Sequence, residues 1–498
     1  MRLTVRAGNP MVLSTPALVV GCVTEPAGAP LFDAINAALG GLPARMYETK
    51  EFTGKAGTVK VLHTLGALPA RQVVLSGLGP RGEVTPERMR QAAGAAAQAL
   101  AGGKVTGAVS ALHQAVPGPG FLEASLEGFA LGSYRYDCYK TRDREERTLE
   151  EVTALLAGED DVSRTAPVAD AVKSVCDAVR MTRDLVSAPG NLATPVYLAE
   201  KALEIGGRYG LGCTIIDRDE LERLGMGALL AVGQGSQHPP RLVVMEYRGG
   251  GDRSRPVVLV GKGITFDTGG ISLKPGANME LMKHDMAGGA AVLGIMQAAA
   301  GLKLPVNLVG LVPLAENMPD GRSYKPGDVV TTMSGLTVEV NNTDAEGRLI
   351  LCDALHYAQR YKPALLLDLA TLTGACIVAL GQNATGALGN DPKLIKALAR
   401  AGEATGERIW ELPLWDEYGE LMKSDIADLK NAGGPSAGTI SAGWFLKQFV
   451  GTTRWVHLDI AGTAWEEKGR HYLPKGATGA GVRLLVEYLR GIAGNRSS

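Results

Sequence analysis

Apolar positions along this chain come in short blocks, and the blocks alternate between two kinds. Residues 3–6, 17–23, 59–63, 72–78 and 104–112 are rich in Val, Leu and Ile and are bounded by Gly, Pro or polar residues, as buried strands are. Residues 86–101 form an Ala-rich stretch, with Thr85 placed to cap it and Pro86 in its first turn, which predicts a helix. A second series opens with a helix running through Val186. Strands follow at 214–216, 242–247, 256–261, 306–312, 337–341 and 364–368. Helices are predicted at 196–209, behind a Thr194-Pro195 cap, at 282–300 and at 348–361.

This alternation predicts an α/β fold of two domains, each a mixed or largely parallel sheet flanked by helices. The polar stretch 158–169, which contains Pro167, places the boundary. An N-terminal α/β domain is expected over 1–165 and a C-terminal domain over 170–498. Ligands bind such sheets beyond the carboxyl ends of the strands.

With 498 residues the chain is too long for one core. Aromatics make up only 5%, so the cores must rest on Ala, Val, Leu and Ile. The 65 glycines are roughly twice the usual share of about 7%, which suits many tight strand-to-helix loops. A net charge of −1, from 51 basic and 52 acidic residues, gives no reason to expect nucleic acid or an anionic membrane as a general partner. Cys22, Cys138, Cys176, Cys213, Cys352 and Cys376 lack CxxC spacing and read as buried free thiols in a reducing cytoplasm. No apolar run approaches the ~20 residues of a membrane helix. Val19-Val20-Gly21-Cys22 loosely resembles a lipoprotein cleavage site, but Pro16 interrupts the apolar run a signal needs, so two early strands around Asn9-Pro10 are expected. The mixed-sign run Arg142 to Arg147 reads as a solvated face, and the C-terminal tail from Gly494 as frayed.

Charge concentrates in two apolar settings. The first runs from Val260 through Lys262, Asp267, the pair Gly269-Gly270 and Lys274, and continues to Met282-Lys283-His284-Asp285. The second is Asn342-Thr343-Asp344-Ala345-Glu346-Gly347-Arg348-Leu349. If the backbone there were extended, Asp344, Glu346 and Arg348 would share one face. Carboxylates so close repel unless cations hold them. A plain surface turn would have a polar neighbourhood, whereas this one runs straight into Leu349-Ile350-Leu351-Cys352. Asp267, Asp285, Asp344 and Glu346 together make an oxygen-ligand set suited to Mn²⁺, Mg²⁺ or Zn²⁺.

Commoner motifs fit poorly. The Gly261-Lys262-Gly263 stretch lacks the glycine spacing of a phosphate loop. None of the seven histidines begins an HExxH motif. Gly434-Pro435-Ser436-Ala437-Gly438 matches the serine-hydrolase elbow, but residues 425–433 before it look polar and helical where an apolar strand is required. A DNA-binding role would call for a basic tract, and none is present. A metal-dependent hydrolase of other amides stays open on the residues alone.

The stretch Asn342–Leu349 resembles the signature of the leucyl aminopeptidases. Residues 260–274 and 282–285 are similar to that family's other metal-binding segments in order and spacing. Residues 191–198, 368–375 and 458–463 extend the likeness over the second half, while the first domain is similar only in size and layout. The resemblance implies a C-terminal catalytic domain with two divalent metals, Mn²⁺ or Zn²⁺. Asp267 and Glu346 would bridge them, Lys262 and Asp285 would complete one site, and Asp344 with its own carbonyl would complete the other. It further implies Lys274 as the electrophile, Arg348 as the holder of a bicarbonate base, and Met282, Thr371, Gly374 and Ala461 as the lining for the first side chain. Peptides with a free N-terminus, a cytoplasmic location and a homohexamer belong to the same expectation. Relatives often have Arg where this chain has Pro435, so a rim or inter-subunit contact is expected to differ there.

Overall fold

The structure, a computed structural model, describes residues 1–26, 28–142, 149–251 and 254–494. Most of the mixed-sign run 142–147 and all but the first residue of the tail 494–498 lie outside the described residues. Chain contacts separate two compact units, Met1–Asp177 with Glu467–Lys475, and Ala178–Glu466 with Gly476–Ser498.

The first unit is a six-stranded sheet of β1 (Arg2–Ala7), β2 (Thr15–Val23), β3 (Val59–His63), β4 (Ala70–Gly79), β5 (Gly107–Ser110) and β6 (Glu151–Leu156). Their spatial order is β1-β6-β5-β2-β4-β3, and only the edge strand β3 runs antiparallel to its neighbour. The helix Pro86–Gly102 begins where its cap predicts, since the Thr85 hydroxyl accepts from Arg88 N. Leu18, Val20, Val73, Leu75 and Ile35 fill one core. The alternative of a leader peptide around Cys22 gives way to β2, whose residues from Ala17 onward are all buried.

The second unit carries a nine-stranded mixed sheet. Its strands are β7 (Gly212–Ile216), β8 (Arg241–Arg248), β9 (Val257–Gly261), β10 (Gly263–Asp267) and β11 (Asn307–Asn317). After the short β12 (Val329–Thr331) and β13 (Thr337–Glu339), the sheet resumes with β14 (Leu365–Ala370), β15 (Thr385–Gly389) and β16 (Ile409–Glu411). β17 (Leu429–Lys430) joins β12 and β13 in a small separate sheet, and β18 (Trp455–Asp459) lies in the large one between β15 and β14. The central strands β18-β14-β9-β11 are parallel and buried along almost their whole length, which is why their Val and Leu runs are continuous. No helix among the described residues is long and apolar enough to cross a membrane.

Several expectations are corrected. The predicted helix 282–300 is two pieces, a 3-10 turn Met279–His284 and the α-helix Ala287–Gly301, with Asp285 at the break. Residues 263–267, for which no element is predicted, form the extra strand β10, paired with β11. The stretch from Glu346 is helical, not extended, and runs to Ala358. Residues 425–433 are not helical; they hold only β17. The polar stretch after Gly158 is taken up into the helix Glu159–Ser187, Pro167 included. Among the free cysteines, Cys138 is exposed and Cys213 half-buried, since each lies outside the packed interior.

Candidate metal centre

The carboxyl ends of β9, β10, β11 and β14 meet at one place. Lys262 occupies the single position between β9 and β10, and its N–H donates to Leu369 O at 3.0 Å. Asp267 is the last residue of β10, in register with Asn317 at the end of β11. Beyond it Gly269 and Gly270 take φ of +85° and +67°, a conformation that side chains resist, and the chain doubles back so that Lys274 N donates to Thr268 O at 2.9 Å. The helix Ala287–Gly301 lies backbone-to-backbone on the sheet: a Cβ on Gly288 would collide with Leu369 O. That close seating brings Asp285, two residues ahead of the helix, into the cluster. Asp344 comes from a turn and Glu346 from the first position of the next helix.

Two lysines face four carboxylates here. Lys262 Nζ lies 2.7 Å from Asp285 Oδ2 and 2.8 Å from Glu346 Oε1, and donates to Thr371 O at 3.0 Å. Lys274 Nζ lies 2.9 Å from Asp267 Oδ2 and also pairs with Asp344. Ligand atoms of Asp267, Asp344 and Glu346 all fall within 4.8 Å of one another. Asp285 joins that trio through the Lys262 ammonium. Asp267, Asp285 and Glu346 are buried, whereas the Asp344 side chain keeps 32% exposure. The cluster is therefore closed except on the Asp344 and Lys274 side.

Burial, together with the neighbouring Glu346 carboxylate, pushes Asp267 up to about 6. Burial likewise raises Asp285 and Asp344. Glu346 goes the other way: burial opposes its charge, but Lys262 and Lys274 hold it below the usual range. Burial also works against the Lys262 charge, and Asp285 and Glu346 outweigh it, so the ammonium is held protonated.

Arg348 sits in the first turn of the same helix. Burial lowers it to about 10, which leaves it a cation at neutral pH. Its NH1 donates to Asn431 O at 2.8 Å, and among the described residues its buried Nε has no partner. Thr371 is buried, and its hydroxyl donates to Asp285 Oδ1 at 2.7 Å, so it steadies that carboxylate. Gly374 opens the exposed helix Gly374–Leu380 beyond β14, and Ala461 follows β18. Asp459 ties those two strand ends, accepting from Leu372 N, Thr373 Oγ1 and Ala461 N at 3.3, 2.7 and 3.1 Å. Met282 is half-buried on the 3-10 turn ahead of Asp285. Ser436 is exposed in a loop whose only preceding strand is β17, so the serine elbow is not formed.

Sequence reasoning missed the residues that stitch the loops together. Asn431, fully buried, donates to Asn342 O at 2.7 Å and accepts from Asn341 N at 2.9 Å. Tyr324 OH donates to Thr343 O at 2.7 Å. Thr343 Oγ1 accepts from Ser272 N at 2.7 Å and donates to Gly269 O at 2.6 Å, which joins the two charged segments directly.

Comparison with known proteins agrees with this architecture. Residues 180–486 match the catalytic domain of the cytosol aminopeptidase family, and residues 19–143 match its N-terminal domain. A probable cytosol aminopeptidase of Geobacter sp. (strain M21) is 58% identical over 490 residues, covering 98% of this chain and 100% of that one. One from Geotalea uraniireducens (strain Rf4) is 60% identical over 477 residues, covering 95% and 96%. Among solved structures, a mutant of tomato leucine aminopeptidase superposes with a TM-score of 0.89 at 33% identity, covering 99% of this chain and 96% of that one. The bottromycin maturation enzyme BotP in complex with Mn superposes with a TM-score of 0.84 at 34% identity, covering 96% and 100%.

Proposed function

Because this chain belongs to the cytosol aminopeptidase family, we propose that it removes single residues from the free N-termini of peptides at the Lys262–Asp267–Asp285–Asp344–Glu346 cluster, with two divalent metal ions. The observation that carries the reading is the convergence of three mostly buried carboxylates within 4.8 Å. The residues fit a pair of dications. Glu346 Oε2 is buried without a hydrogen-bond partner among the described residues, and Asp285 Oδ2 and Asp344 Oδ1 meet lysines outside hydrogen-bond geometry. Carboxylate oxygens that accept no hydrogen bond keep lone pairs a cation can use. Mn²⁺ or Zn²⁺ suits the set, and one relative of this fold was solved with Mn. Bound there, the ions would supply an acidified water and positive charge for a carbonyl oxygen.

Asp267 and Glu346, each flanked by the other ligands, would be shared between the two ions. Lys262 and Asp285 would complete one site, and Asp344 with its main-chain carbonyl the other. Lys262 can ligate only as the neutral amine, which its carboxylate neighbours oppose and nearby dications favour. Lys274 would be released from Asp267 and Asp344 once ions satisfy those carboxylates. Its ammonium then stands free to stabilise the oxyanion formed on attack at the peptide carbonyl. The buried, unpartnered Nε of Arg348 suits an anion such as bicarbonate, held as the general base that carries a proton toward the leaving amine. Met282, Thr371, Gly374 and Ala461 would frame the first side chain, with Thr371 contributing main chain and methyl because its hydroxyl is taken. A cytoplasmic homohexamer completes the proposal. The test is hydrolysis of a panel of aminoacyl amides and their N-acetylated counterparts by metal-replete and chelator-treated enzyme. Activity on free amines that chelation abolishes and Mn²⁺ or Zn²⁺ restores is expected. Full activity in protein that elemental analysis finds free of metal would overturn it.

A further inference from the structure

The three converging carboxylates come from two segments far apart in sequence, and something must fix the distance between them. Asn317, the last residue of β11, is fully buried between these segments. Its Nδ2 donates to Asp267 Oδ1 at 2.8 Å and to Thr343 O at 3.1 Å. Both neighbours are pure acceptors, so the amide can stand only with its nitrogen toward them. Its main-chain carbonyl accepts from Thr268 N at 3.0 Å and from Thr268 Oγ1 at 2.8 Å, which fixes the residue that follows Asp267. Its own Oδ1 is buried and unsatisfied among the described residues. An orphaned amide oxygen costs free energy that an aliphatic residue would avoid.

We infer that Asn317 is a positioning residue for the metal centre: one amide group holds Asp267 and the Thr343–Asp344 peptide, and through that peptide Asp344, at the separation at which the two aspartates bind a metal pair. This rests on the metal reading above. Asp267 Oδ1 accepts twice, from Gly269 N at 2.9 Å and from Asn317 Nδ2, which leaves Oδ2 as the oxygen turned toward Lys274 and the cluster. The same NH₂ group orients the Thr343 carbonyl and with it the peptide that leads into Asp344. Without Asn317, Asp267 Oδ1 keeps Gly269 N as its one donor, and once ions displace Lys274 from Oδ2 little else orients the carboxylate. Tyr324 would still hold Thr343 O, so the Asp344 side would be anchored while Asp267 was not.

The test is Mn²⁺ affinity, measured by competition with a fluorescent chelator on the full chain, for wild type, Asn317→Ala, Asn317→Ser and Tyr324→Phe. Removing groups that orient a metal ligand typically weakens binding about 10–100-fold, and that loss is expected for both Asn317 variants. Tyr324→Phe deletes a buried hydrogen bond to the same carbonyl without touching Asp267, and should bind Mn²⁺ nearly as wild type does. The rise in melting temperature on adding Mn²⁺ should shrink in the Asn317 variants and persist in Tyr324→Phe. Wild-type affinity in either folded Asn317 variant overturns the inference. So does an equal loss in Tyr324→Phe, which would make Asn317 merely structural. Failure of wild type itself to bind Mn²⁺ would instead overturn the metal reading.

Discussion

Replacing Gly347 by alanine sets two effects against each other. Gly347 is the second residue of the helix Glu346–Ala358, and Ala in place of a helical Gly is ordinarily worth about 0.5–1 kcal/mol of stability. Against that, a Cβ at this position would lie 2.6 Å from Lys262 Cε, 2.7 Å from its Nζ and 2.9 Å from its Cδ. Carbon atoms rest about 3.5–4.0 Å apart, so the end of Lys262 would have to retreat by about 1 Å. An exposed lysine would bend away at little cost. Lys262 is 3% exposed, and its ammonium is held by Asp285, Glu346 and Thr371 O. Overpacking of this kind costs about 1–3 kcal/mol, and complete loss of a partner from a buried ion pair about 3–5 kcal/mol. Packing therefore outweighs propensity, and Gly347→Ala should lower the melting temperature. Because a 1 Å misplacement beside a reacting centre can cost about 100-fold, kcat/KM should fall by that order. Thermal unfolding and steady-state hydrolysis of an aminoacyl nitroanilide, with metal content measured alongside, make the assay. A variant as stable as wild type, or more so, with undiminished kcat/KM would refute the reasoning, because Lys262 would then be free to move.

Other outcomes follow from the same geometry. Lys274→Ala should keep its metals and fold normally yet lose about 10²–10³ in kcat, the usual cost of one preorganised oxyanion donor; near-normal turnover with both metals bound would make Lys274 structural. Asp267→Ala and Glu346→Ala should lose metal together with activity, read by elemental analysis. Ser436→Ala should stay active, and a dead Ser436→Ala with full metal content would revive the serine elbow. Asp353, fully buried, is pushed up to about 7 by burial against the hydrogen bonds it accepts from Met333 N and Leu229 N. The folded state then holds a proton that the unfolded chain releases near pH 4, so Asp353 contributes stability at low pH that is lost as pH rises toward 7. Unfolding compared with Asp353→Asn across that window should show wild type losing ground with rising pH; a constant difference would refute the shift.

The central strands were legible because both of their faces are covered. β9 and β14 are buried along their whole length, and a run of Val and Leu with no polar alternation is the mark of that position. β10 was hidden although it too is mostly buried: Gly261 and Gly263 mark its start, it spans only Gly263–Asp267, and its partner β11 lies some forty residues on in the chain. The break at Asp285 was equally invisible. Residues 282–286 contain no Gly or Pro to mark a boundary before the small residues from Ala287 onward, and the close seating of Gly288 on Leu369 O involves a strand much later in sequence.

The convergence of Asp344 and Glu346 was anticipated from an extended backbone that does not exist. In a helix, residues two apart point nearly to opposite sides, so Glu346 and Arg348 cannot share a face. They diverge accordingly: Glu346 turns to Lys262, while Arg348 reaches Asn431 O. Asp344 meets Glu346 because a turn precedes the helix, not because a strand does. Charge density within an apolar stretch singled out carboxylates that the structure brings together, since burying several of them demands compensation whatever the backbone does. It could not reveal Asn317 or Asn431. Each bears a neutral side chain at a strand end or in a loop, and the bonds that matter reach 50 residues back to Asp267 and 89 residues back to Asn342. A local pattern carries the demand for a ligand; only the folded chain brings together the groups that orient it.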